Sequence, residues 1–310
     1  MKTAVISGCA GYIGSQLLHH LLGAGYRVIG VDNLMFNNGA ALNGLDYYGN
    51  MFEFHCLDVR SNIYPQLCQK ADIVYHLAAM VGAPICAKND VKAKSVNQTS
   101  VEDLVGYLTN QRLIFPNTNS GYGIKGEEFC TEDSPLTPIS VYGVTKCEAE
   151  KAVRSYKNHA VVRLATVFGG SRRPRMDLMV NSWAGELYFF KKLKVFEGHF
   201  KRNFVHLQDV VRCLRWLEDP SYSGVYNVGN DALNMTKTKL AQRICNIMGM
   251  DESCVTDGEG KDPDKRDYLV SSQKLLGTGF TFKYDLKDGV MEVLAQCKRS
   301  GFEILKASNV

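Results

Sequence analysis

The stretch Thr3-Ala-Val-Ile-Ser-Gly-Cys-Ala-Gly-Tyr-Ile-Gly-Ser15 decides the fold. Thr3 to Ser7 form a short apolar run of strand character, and Gly8, Gly11 and Gly14 follow at intervals of three. Gln16-Leu-Leu-His-His-Leu-Leu22 then reads as a helix closed by Gly23 and Gly25. A glycine-rich turn between strand and helix lets the main chain approach a pyrophosphate, whose charge is stabilised at the helix N-terminus. The spacing is G-x-x-G-x-x-G, not the G-x-G-x-x-G of ordinary dinucleotide folds. Tyr12 and Ile13 lie inside the turn and belong to the same candidate cofactor site.

Beyond this turn the strand–helix alternation continues. Tyr26 to Val31 is a second strand ending in Asp32, eighteen residues after Gly14, with Asn33 next to it. A carboxylate there accepts hydrogen bonds from both adenosine ribose hydroxyls and repels a 2′-phosphate, which favours NAD over NADP. A third strand, Phe52 to Leu57, leads to Asp58 and Val59, placed to reach the adenine. Ile73-Val-Tyr-His-Leu-Ala-Ala79 is a fourth, buried strand, and Leu77, Ala78 and Ala79 at its end leave room for the cofactor. His76 reads as a core histidine. A fifth strand, Arg112 to Phe115, runs into Pro116-Asn-Thr-Asn-Ser-Gly-Tyr-Gly123, where open α/β sheets bind ligands; Thr118 is placed against a substrate hydroxyl. Ala160 to Phe168 is a sixth strand. This alternation, without internal repeats, predicts a Rossmann-like doubly wound parallel sheet over residues 1–169. Residues 170–310 are expected to form mainly a smaller α/β substrate lobe, with some segments returning to the first domain.

Chemistry is carried by Ser140-Val-Tyr-Gly-Val-Thr-Lys146. Tyr142 and Lys146 are four apart, so on a helix their heads share one face. A tyrosine hydroxyl titrates near ~10. A neighbouring ammonium stabilises the phenolate and lowers that value, and the positive ring of an oxidised nicotinamide adds to the effect. Such a pair exchanges a proton with a sugar hydroxyl while hydride moves to or from a nicotinamide.

Composition excludes other classes. Lys+Arg 36 against Asp+Glu 32 implies neither a nucleic-acid partner nor a membrane-surface field. No apolar run approaches a membrane span, and the N-terminus is a strand-turn pattern, not a signal peptide. The ten cysteines are scattered, without C-x-x-C or zinc spacing, and read as reduced cytoplasmic thiols; no metal site is expected. In the second half, Ser171 to Asn181 (basic, then amphipathic), Lys201 to Asp209 and Lys261 to Asp267 are basic or charged clusters that suit a phosphate-bearing substrate.

Taken in order, the glycine turn, Asp32, His-Leu-Ala-Ala, Thr118 and Tyr142/Lys146 resemble the extended short-chain dehydrogenase/reductases. Within them the chain looks like the NAD-dependent epimerase/dehydratase family, typified by UDP-glucose 4-epimerase, from about Thr3 to Leu276. That likeness implies a catalytic triad of Thr118, Tyr142 and Lys146, with Lys146 also on the nicotinamide ribose. It implies NAD held by Gly8, Gly11, Gly14, Asp32 and Asp58, and a diphosphate-binding Arg202, with Asn119, Ser120, Asn181 and Arg266 on the substrate side. A homodimer is implied as well. The stretches Asp32 to Phe36, Pro116 to Gly123 and Asp262 to Ser271 are similar to the GDP-manno-heptose 4-dehydrogenases of bacterial surface-heptose pathways.

Departures from the family pattern narrow the chemistry. The 4,6-dehydratases carry an Asp-Glu pair directly after the triad Thr, where this chain has Asn119 and Ser120, so water elimination lacks its acid and base. The 3,5-epimerase/reductases place a cysteine where Ser120 stands. The strand-end Asn common in UDP-galactose epimerases is Thr166 here. The expected activity is NAD-dependent oxidoreduction at carbon 4 of a GDP- or UDP-sugar, by an epimerase or a 4-dehydrogenase. A 4-keto-sugar reductase, or a non-catalytic NAD(H)-binding regulator on the same fold, is the alternative.

Overall fold

The computed structural model describes residues 1–260 and 266–309. The charged cluster Lys261 to Asp267, and with it the stretch Asp262 to Ser271, therefore lies partly outside the described residues. Along the first half run β1 (Thr3–Ser7), α1 (Tyr12–Gly23), β2 (Arg27–Asp32), β3 (Phe52–Cys56), α2 (Ile63–Cys68) and β4 (Ile73–His76). Then come α3 (Ala83–Lys88), α4 (Asp90–Lys94), α5 (Ser100–Tyr107), β5 (Arg112–Thr118), β6 (Ile124–Cys130), α6 (Val141–Ser155), β7 (His159–Leu164) and β8 (Thr166–Phe168). The second half holds α7 (Met179–Phe190), β9 (Leu193–Val195), β10 (Lys201–His206), α8 (Leu207–Trp216), β11 (Gly224–Val228) and β12 (Asn230–Thr236). It ends with α9 (Lys237–Ile247), β13 (Val255–Asp257), β14 (Asp267–Val270), α10 (Gln273–Leu276) and α11 (Leu286–Ser300).

Seven strands form the central sheet in the order β11-β7-β5-β4-β1-β2-β3, with every neighbouring pair parallel. A parallel sheet is covered on both faces, so its strands are apolar on both. Ala4 and Ile6 of β1 pack in one core with Leu17, Leu18 and Leu21 of α1. Val5 packs on the other face with Ile29, Val74 and Phe115. The chain winds away from β1 in one direction through β2 and in the other through β4. Their carboxyl ends therefore part at a crevice, where such sheets bind ligands.

The structure redraws several elements read from sequence. The expected strand Ala160 to Phe168 is two strands: Ala165 separates β7 from β8, which leaves the central sheet and pairs with β10. β4 stops at His76, so Leu77 to Ala79 are non-strand residues at the crevice. β5 instead runs on through Pro116 to Thr118. Its pairing with β4 ends at Ile114, so the missing N–H of Pro116 interrupts no ladder on that side. The seventh strand, β11, comes from the second half of the chain, and α8 returns with it. Leu207, Val210 and Leu214 of α8 share a core with Leu17 and Leu21 of α1.

The remaining segments form the second lobe. β12-β10-β8 is a small sheet, antiparallel between β10 and β12 and parallel between β10 and β8. Its core joins Phe168, Val180, Phe204, Leu240, Ile244 and Val293. No helix among the described residues is long and apolar enough to cross a membrane, and no disulfide joins the cysteines of the described residues.

Candidate active site

One cavity of about 500 Å³ opens at the crevice and is lined from both halves of the chain. Its floor is the glycine turn, where side chains are excluded by geometry. Gly8 has φ +70, and a Cβ there would lie 3.0 Å from the Ala78 nitrogen. A Cβ on Gly14 would lie 2.0 Å from the Gly8 carbonyl oxygen. α1 thus starts closer to β1 than any other residue allows, leaving bare main chain for a pyrophosphate to approach. Tyr12 fastens this turn to the second lobe by donating from its hydroxyl to the Gly169 carbonyl at 2.7 Å. Ile13 lines the cavity.

Asp32 closes β2 beside the turn, nine-tenths buried. Its carboxylate accepts from the main-chain nitrogens of Ala10 (3.0 Å) and Leu34 (2.9 Å), while burial pushes its pKa up. Asp58 is held by Arg60 through Nε at 2.8 Å and Nη2 at 2.9 Å, and by Asn33 Nδ2 at 3.2 Å. Chiefly through Arg60, its pKa falls to about 2. Asn33, Asp58, Val59, Leu77, Ala78 and Ala79 all line the same cavity. Bare glycines, an adjacent buried carboxylate and an apolar wall fit a dinucleotide's pyrophosphate, ribose and adenine in turn.

The catalytic candidates stand opposite. Ser140 caps α6, its Oγ accepting from Gly143 N at 3.1 Å. Two residues after this cap, Tyr142 is half-buried on the cavity wall. Lys146 follows a further turn along, almost fully buried, with Nζ 3.9 Å from the Phe115 ring centroid. Burial lowers its pKa to about 7. Thr118, at the end of β5, accepts from Ser120 N at 3.1 Å and keeps its own O–H as a donor. His76 is buried beneath, with Nδ1 2.8 Å from Tyr64 Oη. Burial, with Lys146 nearby, drops its pKa to about 3, so it stays neutral.

A buried ion pair that sequence reading missed holds these parts in register. Glu150, one turn past Lys146, accepts from Arg163 of β7 at 2.6 Å and 3.1 Å, and from Asn117 Nδ2. Arg163 also donates to Tyr122 Oη at 2.9 Å and to the Glu132 carbonyl at 3.0 Å. Asn117 precedes Thr118, so one carboxylate ties the Thr118 strand to the Tyr142 helix. The signal was present: an arginine inside Ala160-Val-Val-Arg-Leu164 demands a buried anion.

Substrate-side candidates divide. Ser120 and Arg266 line the cavity, whereas Asn119, Asn181 and Arg202 are buried outside its lining. The Asn181 amide accepts from Gly169 N at 3.0 Å and donates to the Arg175 carbonyl at 3.0 Å, and its contact with Tyr12 Oη at 3.3 Å ties it to the glycine turn. Arg202 donates from Nη1 to the Lys201 carbonyl at 3.0 Å. Phe196 and Lys237 line the cavity without having been singled out, and Thr166 and Arg173, both named from the sequence, line it as well.

The model of the NAD dependent epimerase/dehydratase family matches residues 4–229. The uncharacterized UDP-glucose epimerase YtcB of Bacillus subtilis is 27% identical over 228 residues, 67% of this chain and 70% of that protein. A putative UDP-glucose 4-epimerase of Methanocaldococcus jannaschii is 24% identical over 319 residues, 96% of this chain and 98% of that protein. The UDP-glucuronic acid 4-epimerase of Bacillus cereus, solved with UDP-glucuronic acid and NAD, has a TM-score of 0.85 at 23% identity. That match covers 96% of this chain and 99% of that one, and its likeness is one of fold.

Proposed function

This chain belongs to the NAD-dependent epimerase/dehydratase family, and we propose that it reversibly oxidises carbon 4 of a nucleoside-diphosphate sugar, as a 4-epimerase or a 4-dehydrogenase. Its cofactor, NAD, supplies the hydride acceptor. The observation that carries this reading is that Thr118, Tyr142 and Lys146 line the same cavity as Gly8, Gly14 and Asp32.

Tyr142, as phenolate, takes the proton of the carbon-4 hydroxyl, and Thr118 holds that hydroxyl by hydrogen bonding. Lys146, one helical turn on, would serve as the phenolate's counter-charge and would hold the nicotinamide ribose of bound NAD. Phe115 and the surrounding apolar wall keep water from Lys146, which strengthens its field at the phenolate. Neither residue after Thr118 is a carboxylate, so elimination of water is not supported. The same residues run the reaction backwards, returning a proton to a 4-keto oxygen.

The names of the relatives favour a uridine nucleotide, and the heptose-dehydrogenase-like stretches favour guanosine; both belong in the assay. Tyr142→Phe keeps the ring and removes the base. We expect NAD binding to persist and turnover to fall by about 10²–10⁴-fold. Unchanged turnover would reject the mechanism and favour a regulator that merely binds NAD(H). We further propose a cytoplasmic homodimer, and light scattering at the mass of one chain would reject the dimer.

A further inference from the structure

We propose that Cys245 and Cys254 are a reversible thiol–disulfide pair, oxidised by hydrogen peroxide, that fastens α9 to the segment carrying β13.

Both thiols lie in Cys245-Asn-Ile-Met-Gly-Met-Asp-Glu-Ser-Cys254. Cys245 is fully buried in the last turn of α9. Past the helix end, Gly249 takes the left-handed conformation at φ +66, and Met250 N donates back to the Cys245 carbonyl at 2.9 Å. Asp251 caps a short 3-10 turn, Glu252–Cys254, by accepting from Ser253 N at 2.8 Å. Asn246 Nδ2 donates to Glu252 Oε1 at 3.1 Å, which holds this turn against the helix. The chain reversal brings the two Sγ atoms to 3.1 Å. A disulfide bond spans about 2.05 Å, so the sulfurs need to approach by only about 1 Å more.

Exposure gives the two thiols different roles. Cys254 is partly exposed, whereas burial first, and then Cys254 itself, pushes the Cys245 pKa up to about 12. The thiolate is the reactive form, so Cys254 reacts first and Cys245 resolves. Asp251 and Glu252 beside the pair disfavour an anionic oxidant, while hydrogen peroxide is small and neutral. The Cys254 thiolate attacks one peroxide oxygen and the O–O bond breaks. Cys254 becomes a sulfenic acid, and the departing hydroxide takes up the thiol's proton to leave as water. The Cys245 sulfur then attacks the Cys254 sulfur; the S–S bond forms, the S–O bond breaks, and the hydroxyl leaves with the Cys245 proton as a second water. Two electrons pass from the pair to the peroxide, and a dithiol reductant returns them.

The pair sits behind the cavity wall. α9 starts at Lys237, and β13 pairs in parallel with β9, which Phe196 follows directly. Lys237 and Phe196 both line the cavity. Oxidation therefore ties together two elements that back this wall.

The experiment exposes the purified protein to hydrogen peroxide, blocks the remaining thiols and maps the unreduced peptides. Wild type is expected to lose two hydrogens by forming one intramolecular Cys245–Cys254 bond, which dithiothreitol reopens. Cys245→Ala should stop at a Cys254 sulfenic acid, trapped by dimedone. Cys56, exposed at the end of β3, is the reference thiol. Oxidised wild type should melt a few degrees above the reduced protein, because the bond restricts the unfolded chain. That difference should vanish in Cys254→Ser, which keeps the comparison available should Cys245→Ala not fold. Wild type that gains oxygen on Cys254 without forming the Cys245–Cys254 bond overturns the proposal. So does a Cys254 left as thiol while Cys56 is oxidised.

Discussion

Lys146 shows how a single side chain trades stability for chemistry. Its folded pKa is about 7, against an ordinary 10.5. Between those values the unfolded chain binds more protons than the folded one, so stability rises with pH across that window. Below pH 7 both states are protonated and the full burial cost is present. Lys146→Met should therefore stabilise the NAD-free protein at pH 6, on the order of 2 kcal/mol, with the gain shrinking toward pH 10. Thermal melts at the two pH values read this directly, and a pH-independent difference would contradict it. Turnover should fall by about 10²-fold or more in the same variant, because the phenolate loses its counter-charge. Tyr142 and Lys146 were legible in sequence because a spacing of four on a helix fixes a shared face. The pKa of Lys146 was not, because burial depends on Phe115 and the β5 strand beneath.

The glycine turn and the buried ion pair do different work. Gly14→Ala places a methyl 2.0 Å from a carbonyl oxygen, and neither main-chain segment can yield without moving α1 off β1. We expect a loss of about 1–3 kcal/mol and a weakened NAD complex, measured by denaturant melts and NAD titration. Gly23→Ala, at the far end of the same helix, meets nothing within 4 Å and should be neutral or slightly stabilising. Arg163→Met leaves the Glu150 carboxylate buried without its main partner, at a cost of about 3–5 kcal/mol. The loosened joint between Thr118 and Tyr142 should also lower kcat more than it raises KM. Turn, second strand and Tyr-bearing helix could be read locally. The break at Ala165 could not, since it reflects pairing of β8 with β10, more than thirty residues downstream.

Across the molecule, the site exists only where two halves of the chain meet. Fold class followed from alternating strands and helices, a pattern each segment declares by itself. The return of β11 and α8 to the first layer depends on long-range pairing that a run such as Gly224-Val-Tyr-Asn-Val228 does not announce. For the same reason, sequence order placed Asn181 and Arg202 with the substrate, while neither is among the residues that line the cavity. Motif position identifies an element; side-chain direction depends on what packs around it. Oxidation at carbon 4 is best tested with UDP- and GDP-hexoses carrying deuterium at that carbon, followed by the reduced-nicotinamide absorbance of the purified protein with NAD. A rise that is slowed by the deuterium and abolished in Tyr142→Phe is the expected result. No rise with either nucleotide, or a rise indifferent to both the label and Tyr142, would contradict it.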